Sequence, residues 1–295
     1  FISLFDLSRD ELQRLLVRAA ELKKARFRHG RPLAGHSVGL LFEKPSTRTR
    51  VSFEVAAVEM GAHPVALTAS QTQVSRGEEP GDTAMVLSRY VSGLVVRTFG
   101  NDRLKAMAAK SSVPVINGLT DELHPCQTLA DLLTIQERLG SLEGVTVAYV
   151  GDGNNVANSW IEAAIHTPIK LKLGCPDALR PDAKLLEQAG SRAQLTTDSL
   201  EAVKGADVVY TDVWVSMGQS DADARRELLR PYQVNRALMA EASSRALFMH
   251  CLPAHRDEEV SGELLFGDRS VVLDQAENRL HASKALLEAF LLPAS

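Results

Sequence analysis

Short apolar runs alternate with amphipathic stretches along almost the whole chain, and this alternation is the strongest constraint on its fold. The apolar runs form a first series at 38–42, 64–67, 94–96 and 113–116, and a second at 145–150, 170–173, 208–211, 247–249 and 271–273. Apolar residues at helical spacing occupy the stretches between the runs. Strands that alternate with helices form mainly parallel sheets with helices on both faces. The sequence therefore predicts an α/β fold with two such sheets.

The length of the chain favours two domains. A single core rarely organises as many as 295 residues. Gly140 and Gly144 lie between the two series of apolar runs, so the predicted boundary divides the chain into domains at 1–139 and 140–295. The final amphipathic stretch, at about 276–292, is long enough for a helix that packs back on the first domain.

Composition narrows the class of protein. Hydrophobic residues make up 45% of the chain and charged residues 24%, and no apolar run approaches the roughly 18 to 20 residues of a membrane helix. The net charge of -4 comes without a basic stripe, which argues against nucleic acid as a partner. The cysteines Cys126, Cys175 and Cys251 lack the spacing of a disulfide framework or a zinc site. They favour a reducing, cytoplasmic location.

One junction between a strand and a helix has the features of an anion site. Pro45 ends the first apolar run, and the unpaired backbone N–H groups of a helix N-terminus follow it. Hydroxyl groups line this turn, from Ser46, Thr47 and Thr49. Residues two apart on a helix point in different directions, so we assign Arg48 rather than Arg50 to the ligand. The junction predicts a phosphoryl site, and the alternative is an ordinary capped helix with solvated arginines.

Other polar or reactive side chains follow later predicted strands. They are Arg97, His124, Asn155, Asp212 and Cys251. Because small molecules bind at the carboxyl ends of strands in such sheets, we expect one cleft to collect these residues.

Four further motifs accompany the run Ser46-Thr47-Arg48-Thr49-Arg50. They are His124-Pro125-Cys126-Gln127, Asp212-Val213-Trp214-Val215-Ser216-Met217-Gly218, His250-Cys251-Leu252-Pro253 and Glu277-Asn278-Arg279. In this order and at these separations, the five motifs resemble those of the aspartate/ornithine carbamoyltransferase family. The Ser-Met-Gly and His-Cys-Leu-Pro segments are similar to the members that use ornithine. The resemblance implies transfer of the carbamoyl group of carbamoyl phosphate to the δ-amine of L-ornithine, in arginine metabolism, without a cofactor or a metal.

The resemblance also implies the roles of particular residues. Carbamoyl phosphate is expected to contact Ser46, Thr47, Arg48, Thr49, Gln73, Arg97, His124, Gln127, Cys251, Leu252 and Arg279. Ornithine is expected to contact Asn155, Asp212, Ser216 and Met217. The expected catalytic residues are Arg48, Arg97, His124, Asp212 and Cys251. The resemblance further implies a homotrimer, or a multiple of trimers, in which Gln73 of a neighbouring subunit completes each active site.

The sequence leaves alternative interpretations open. The turn Gly151-Asp152-Gly153-Asn154-Asn155 suggests a dinucleotide site, although its spacing is not G-x-G-x-x-G. His124 in isolation resembles an ordinary loop histidine, and Gln73 lies in a polar segment typical of an exposed loop. A metal is suggested by His250, Cys251 and His255, but no second pair of ligands accompanies them. The rival functions are transfer to putrescine or to an acylated ornithine, an inactive binding homologue, and an NAD-dependent oxidoreductase.

Overall fold

The structure is a computed structural model that describes residues 1–68, 77–215 and 221–292. The chain forms two compact units. The first consists of Phe1–Leu133 together with Glu277–Ser295, and the second of Thr134–Ala276.

The described part of the first unit contains a four-stranded parallel sheet. Its strands are β1 (Ser37–Phe42), β2 (His63–Thr68), β3 (Gly93–Arg97) and β4 (Val115–Leu119). They are arranged in the order β2-β1-β3-β4. The helices that follow or precede them are α1 (Arg9–Lys24), α2 (Thr47–Met60), α3 (Pro80–Leu87) and α4 (Asn101–Lys110). Leu94 and Val96 of β3 pack with Leu104 and Met107 of α4, which builds one core of this unit.

The described part of the second unit contains a five-stranded parallel sheet. Its strands are β5 (Thr146–Val150), β6 (Lys170–Gly174), β7 (Ala193–Thr196), β8 (Val208–Thr211) and β9 (Leu247–His250). They are arranged in the order β7-β6-β5-β8-β9. Its helices are α6 (Asn155–His166), α7 (Ala183–Ala189), α8 (Ser199–Val203), α9 (Ala222–Leu229), α10 (Arg236–Glu241) and α11 (Gly262–Leu265). The chain passes from one unit to the other within α5 (Pro125–Leu139) and again at α12 (Val272–Leu291).

The predicted α/β architecture is confirmed, with two local differences. The sequence does not predict β7, because this short edge strand is half exposed and contains no apolar run. The strand predicted at 271–273 is wrong, since these residues begin α12. Phe248 N–H donates to the Arg269 carbonyl at 2.8 Å, and Val271 N–H donates to the Phe248 carbonyl at 3.0 Å. This brief pairing with β9 just before the helix explains the apolar, strand-like sequence.

The C-terminal helix α12 packs on the first unit, as the sequence predicts. Arg18 Nε donates to Glu288 Oε2 at 2.6 Å. Lys284, which is fully buried, forms an ion pair with Glu59. The ring of Phe290 lies 5.7 Å from that of Phe1, measured between centroids. Although α12 is 20 residues long, no helix in the described part of the chain is long and apolar enough to span a membrane.

Candidate active site

In the first unit, a group of polar side chains surrounds the N-terminus of α2. Ser46 caps this helix, and its hydroxyl accepts a hydrogen bond from the Thr49 N–H at 3.3 Å. Thr49 lies in the first turn and is 1% exposed. The cap and the buried hydroxyl thus follow the carboxyl end of β1, where the sequence predicts an anion site.

Arg279 of α12 joins this helix terminus to the first turn of α5. Its Nη2 donates to Thr49 Oγ1 at 2.9 Å, and its Nη1 donates to Gln127 Oε1 at 2.5 Å. Gln127 Nε2 donates in turn to Asp131 Oδ1 at 2.8 Å, which fixes the orientation of the amide. Arg279 is 4% exposed. The structure therefore brings Thr49, Gln127 and Arg279 together in one buried network within the first unit.

Arg97 and His124 are buried in the same unit. The register of β3 against β4 shifts between Val96 and Arg97, and a bulge of this kind redirects a side chain. His124 directly precedes α5, and its carbonyl accepts the Gln127 N–H at 3.0 Å. Burial holds the pKa of His124 well below its usual range, and the positive charges of Arg279 and Arg97 lower it further. His124 is therefore a neutral imidazole at physiological pH.

The two arginines of α2 have different surroundings. Arg50 Nε donates to Glu54 Oε1 at 2.8 Å, one turn along the helix. Arg48 is half-buried and makes no hydrogen bond or ion pair with a residue in the described ranges. The guanidinium of Arg50 is thus engaged by a neighbouring carboxylate, whereas that of Arg48 has no such partner within the described ranges. Binding of a ligand by Arg48 stays a prediction.

In the second unit, Asp212 is the centre of a second polar group. Asp212 directly follows β8 and is buried. The Cys251 thiol donates to Asp212 Oδ1 at 2.9 Å, and Asn154 Nδ2 donates to Asp212 Oδ2 at 2.7 Å. Both carboxylate oxygens therefore have a fixed partner. This arrangement holds a negative charge at the carboxyl end of the sheet, where it is suited to attract an ammonium group.

Asn154, which bonds Asp212, is not among the site residues that the sequence predicts. Asn154 is the N-cap of α6, and its Oδ1 accepts the N–H groups of Val156 and Ala157 at 2.9 and 3.3 Å. Its neighbour Asn155, the predicted ligand residue, is half-buried at the first position of the helix. An asparagine directly before a helix is a capping signal, and that signal was sufficient to find Asn154.

The glycines before α6 have a packing role that removes the basis for a dinucleotide site. The Gly153 N–H donates to the Leu179 carbonyl at 2.9 Å. A Cβ atom at Gly153 would lie 2.3 Å from Pro181 N, so no larger residue fits. Gly151 has φ +131°, a conformation that glycine adopts without strain. These glycines allow the chain at 179–181 to approach the turn, and they do not form a phosphate cradle.

Asp152 forms a buried ion pair with Arg225. Burial is the main cause that raises the pKa of Asp152 to about 6, against the opposing charge of Arg225. Arg225 Nε also donates to the Trp214 carbonyl at 3.2 Å. The pair thus fixes the chain after Asp212 against the turn that precedes α6.

The segment after β9 contains Cys251 and Leu252, both predicted to contact substrate. His250 is fully buried, and its Nδ1 accepts the Leu252 N–H at 2.8 Å. Leu252 has φ +58°, and a cis peptide bond joins it to Pro253. His250 Nε2 lies 3.1 Å from Glu259 Oε1. Both nitrogens of the His250 ring are therefore engaged with protein groups.

Metal-capable ligand atoms come together at two places in the described part of the chain. One group contains Asp212, His250 and Cys251, and the other contains His255, Glu258 and Glu259, with the atoms of each group within 4.8 Å of one another. In the first group the ring nitrogens of His250 already bond to protein, and in the second the Glu258 carboxylate accepts from Arg226 Nε at 3.1 Å. In each group at least one candidate ligand is therefore already engaged with a protein group.

Three of the predicted site residues lie outside the described ranges. They are Gln73, Ser216 and Met217. Their roles stay predictions from the sequence.

Comparison with known proteins identifies the family. Residues 1–137 match the aspartate/ornithine carbamoyltransferase carbamoyl-P binding domain, and residues 143–290 match the aspartate/ornithine carbamoyltransferase Asp/Orn binding domain. The two matches cover nearly the whole chain. The protein belongs to the aspartate/ornithine carbamoyltransferase family.

Similar proteins of known name are ornithine carbamoyltransferases. The anabolic ornithine carbamoyltransferase of Pseudomonas aeruginosa is 52% identical over 99% of this chain and 96% of its own length. The structure of the Thermus thermophilus ornithine carbamoyltransferase shares 42% sequence identity, with a TM-score of 0.93 over 99% of this chain and 98% of that one. The Pyrococcus furiosus enzyme shares 45% identity, with a TM-score of 0.94 over 97% and 95% of the two chains. These similarities confirm the family resemblance of the five motifs.

Proposed function

We propose that the protein transfers the carbamoyl group of carbamoyl phosphate to the δ-amine of L-ornithine, giving L-citrulline and phosphate in arginine biosynthesis. The observation that carries the proposal is the buried network in which Arg279 joins Thr49 and Gln127 beside the N-terminus of α2. The full-length similarity to an anabolic ornithine carbamoyltransferase supports ornithine as the acceptor. We assign carbamoyl phosphate to a first domain at 1–139, and ornithine to a second at 140–295.

The phosphate is bound by guanidinium groups and by the N-terminus of α2. Arg48, Arg97 and Arg279 supply positive charge, and a guanidinium matches the geometry of two phosphate oxygens at once. The N–H groups in the first turn of α2, with the hydroxyls of Ser46 and Thr47, add uncharged donors. The same charges assist the reaction, because the C–O bond that breaks leaves its electron pair on the phosphate.

Thr49, Arg97 and His124 stabilise the carbonyl oxygen as it becomes negative. The Thr49 hydroxyl accepts from Arg279, so its own proton is directed elsewhere and is available to the oxygen. His124 is neutral because its pKa is lowered by burial, and a neutral imidazole donates from one nitrogen without giving up its proton. Preorganised donors of this kind each contribute about 10²- to 10³-fold to the rate.

The carbamoyl NH₂ group is held by acceptors. Gln127 Oε1 keeps a second lone pair beside the one that Arg279 occupies, and the contact of Gln127 with Asp131 prevents its amide from turning. We add the backbone carbonyl of Leu252 and the Cys251 side chain as further contacts, as the resemblance implies. These contacts orient the plane of the carbamoyl group for attack.

Ornithine is bound by Asp212 and Asn155, with Cys251 close to the amino groups and with Ser216 and Met217 over the α-amino acid end. An alkyl ammonium has a pKa of about 10, so the δ-amine loses a proton before it attacks. Its lone pair then forms the new C–N bond, and the C–O bond to phosphate breaks. The second proton leaves the nitrogen for the departing phosphate or for solvent. The Cys251 thiol donates to Asp212, and a thiol held in this way suits amine positioning rather than nucleophilic attack.

Carbamoyl phosphate is already an activated acyl donor, so this chemistry needs neither a cofactor nor a metal. The free cysteines Cys126, Cys175 and Cys251 suit a reducing compartment, and we place the enzyme in the cytoplasm.

The test of the function is a citrulline assay in which ornithine, putrescine and aspartate are offered in parallel. We expect carbamoyl transfer to ornithine alone, at a rate that is unchanged by chelators. Preferred transfer to putrescine or aspartate would reassign the acceptor. If none of the three amines is carbamoylated, the alternative of an inactive binding homologue is supported.

We further propose a homotrimer, or a multiple of trimers, in which Gln73 of one subunit completes the site of the next. The proposal is supported by the family resemblance and by the polar composition of the segment around Gln73. Mixing an Arg48→Ala protein with a Gln73→Ala protein should restore part of the activity, since hybrid trimers contain intact sites. Absence of recovery, with hybrids demonstrated by native mass spectrometry, would exclude a shared site.

A further inference from the structure

The segment 251–254 carries two groups of the proposed site, and one carboxylate holds both of its ends. Glu259 Oε1 accepts the His255 N–H at 2.6 Å and lies 3.1 Å from His250 Nε2. His250 and Glu259 are both fully buried. The position of His250 itself is fixed by its N–H, which donates to Gln275 Oε1 at 2.9 Å. The two ends of the segment are thus held together inside the second unit.

The hydrogen bonds define the protonation of His250. Leu252 N–H is a donor only, so Nδ1 accepts and carries no proton. Nε2 then carries the proton of the neutral ring, and this N–H donates a hydrogen bond to Glu259. This order of donors leads from the Glu259 carboxylate through the imidazole to the backbone of Leu252.

The backbone of Leu252 requires this support. Its φ of +58° lies in the left-handed region, which a branched side chain disfavours. The hydrogen bond from its N–H to His250 and the packing of its side chain on the core of the second unit hold this conformation. A residue in that conformation reverses the chain, and Cys251, directly before it, is turned so that its thiol reaches Asp212 at 2.9 Å.

We infer that His250 and Glu259 are positioning residues, which touch no substrate but hold the Cys251 thiol and the Leu252 carbonyl in their working geometry. The kinetic consequences rest on the proposed carbamoyl transfer. The geometry of Cys251 does not, because its thiol can be probed without substrate. The other two cysteines serve as an internal reference, since burial raises the pKa of Cys126 to about 12 and that of Cys175 above its usual range.

Two pairs of variants separate positioning from a merely structural role. His250→Asn places an amide near the position of Nδ1 and keeps an acceptor for Leu252 N–H, whereas His250→Gln places its amide near Nε2 and removes that acceptor. Glu259→Gln keeps an oxygen acceptor, and Glu259→Ala removes it. Val260→Ala is the matched control, because Val260 is equally buried beside Glu259 and its apolar side chain forms no hydrogen bond.

For each variant we would measure kcat, KM for carbamoyl phosphate, thermal stability, and the rate of Cys251 alkylation by iodoacetamide in the absence of substrate. His250→Gln and Glu259→Ala should lower kcat by about 10-fold or more, because a misplacement of about 1 Å is costly. They should also raise the alkylation rate severalfold, since the thiol leaves Asp212. Glu259→Gln should remain within about threefold of wild type in both measurements. His250→Asn keeps the acceptor for Leu252 N–H but loses the donor to Glu259, so it should fall between wild type and His250→Gln.

The inference is overturned if kcat and alkylation follow thermal stability across all the variants, Val260→Ala included. It is also overturned if His250→Gln behaves as wild type. If the wild-type protein makes no citrulline, the proposed function fails, and the alkylation rates still decide whether the pair positions Cys251.

Discussion

The two units differ in the charge that they collect at the carboxyl ends of their strands. The first presents the guanidiniums of Arg48, Arg97 and Arg279 beside a neutral His124, whereas the second presents the buried carboxylates of Asp152 and Asp212. The same parallel sheet architecture therefore presents guanidinium groups in one unit and carboxylates in the other. The difference comes from the residues at the strand ends and from Arg279 of α12, which adds a cation to the first unit. A fold of this kind fixes where a site lies, and the side chains decide what it binds.

The largest effect is expected from the cationic unit. Arg48→Ala should lower kcat/KM for carbamoyl phosphate by about 10²- to 10³-fold and leave the fold intact, because one missing donor to the phosphate has that cost. Arg48→Lys should recover little, since it restores charge without the two-pronged geometry. Steady-state kinetics with carbamoyl phosphate as the varied substrate measure both variants.

Arg50→Ala is the matched control for Arg48→Ala. Arg50 lies two residues away on the same helix and bonds to Glu54 on its exposed face. Its loss should change kcat/KM by less than about twofold, because exposed pairs contribute little. Equal losses of kcat/KM in the two variants would show that Arg48 has no specific role in binding carbamoyl phosphate.

The next effect concerns the acidic unit. Asp212→Ala should lower kcat/KM for ornithine by about 10²-fold and should reduce the preference for ornithine over lysine, because the chain-length requirement depends on a fixed amine partner. The dissociation constant of carbamoyl phosphate should hardly change. Kinetics with ornithine and lysine as the varied acceptors test the assignment. Unchanged selectivity between the two acceptors would contradict it.

A smaller effect is expected when Asp212 is loosened instead of removed. Asn154→Ala should raise KM for ornithine by about tenfold and lower the free energy of unfolding by about 1 kcal/mol, since it removes both a cap and a carboxylate donor. Asn235→Ala supplies the control. Asn235 caps α10 through a 3.0 Å bond to the Leu238 N–H. The Asn235→Ala protein should show a similar loss in the free energy of unfolding, measured with urea, and a normal KM for ornithine. If KM rises in both variants, Asn154 acts only as a helix cap.

The smallest effect is an opposite response of the two units to acid. The folded pKa of Asp152 is raised to about 6 from 3.8, so the folded state binds the proton more tightly and stability increases as the pH falls through this range. In the first unit, burial with the charges of nearby lysines and Arg26 lowers the pKa of His281 to about 4 from 6.5. There the unfolded state binds the proton more tightly, so stability is lost as the pH falls below 6.5.

Hydrogen exchange of peptides from each unit, corrected for intrinsic rates, measures these responses between about pH 7 and pH 5. We expect opposite trends on the order of 1 kcal/mol. Asp152→Asn should remove the gain in the second unit, and His281→Gln should remove the loss in the first. Parallel trends in the two units, unaffected by these changes, would show that other groups control the response.

The sequence predicts the fold well because most strands are buried and apolar. It fails at β7, whose exposed edge position needs no apolar run, and at 271–273, where apolar residues pair briefly with β9 and then start a helix. A short apolar run indicates that a segment is buried, and it does not indicate whether the segment is a strand or a helix.

Sequence motifs identify the site residues that follow strands. They do not identify the residues that hold those site residues in position. Asn154 carries a local capping signal, which is readable in the sequence. The pair of His250 and Glu259 carries no comparable signal, because it depends on a turn that brings residues nine positions apart within 3.1 Å. Positioning residues of this kind require the three-dimensional structure.

The packing of α12 on the first unit has a consequence for the order in which the protein is made. Lys284 and Glu288, which pair with Glu59 and Arg18, leave the ribosome only after the whole of Thr134–Ala276. At about 5–20 residues per second, the first unit remains incomplete for roughly 7 to 30 s while the second is synthesised. Synthesis therefore reverses the usual sequence of events: the unit that begins first is completed last. The second unit, to which we assign ornithine, is therefore completed before the first unit, which receives Arg279 at the end.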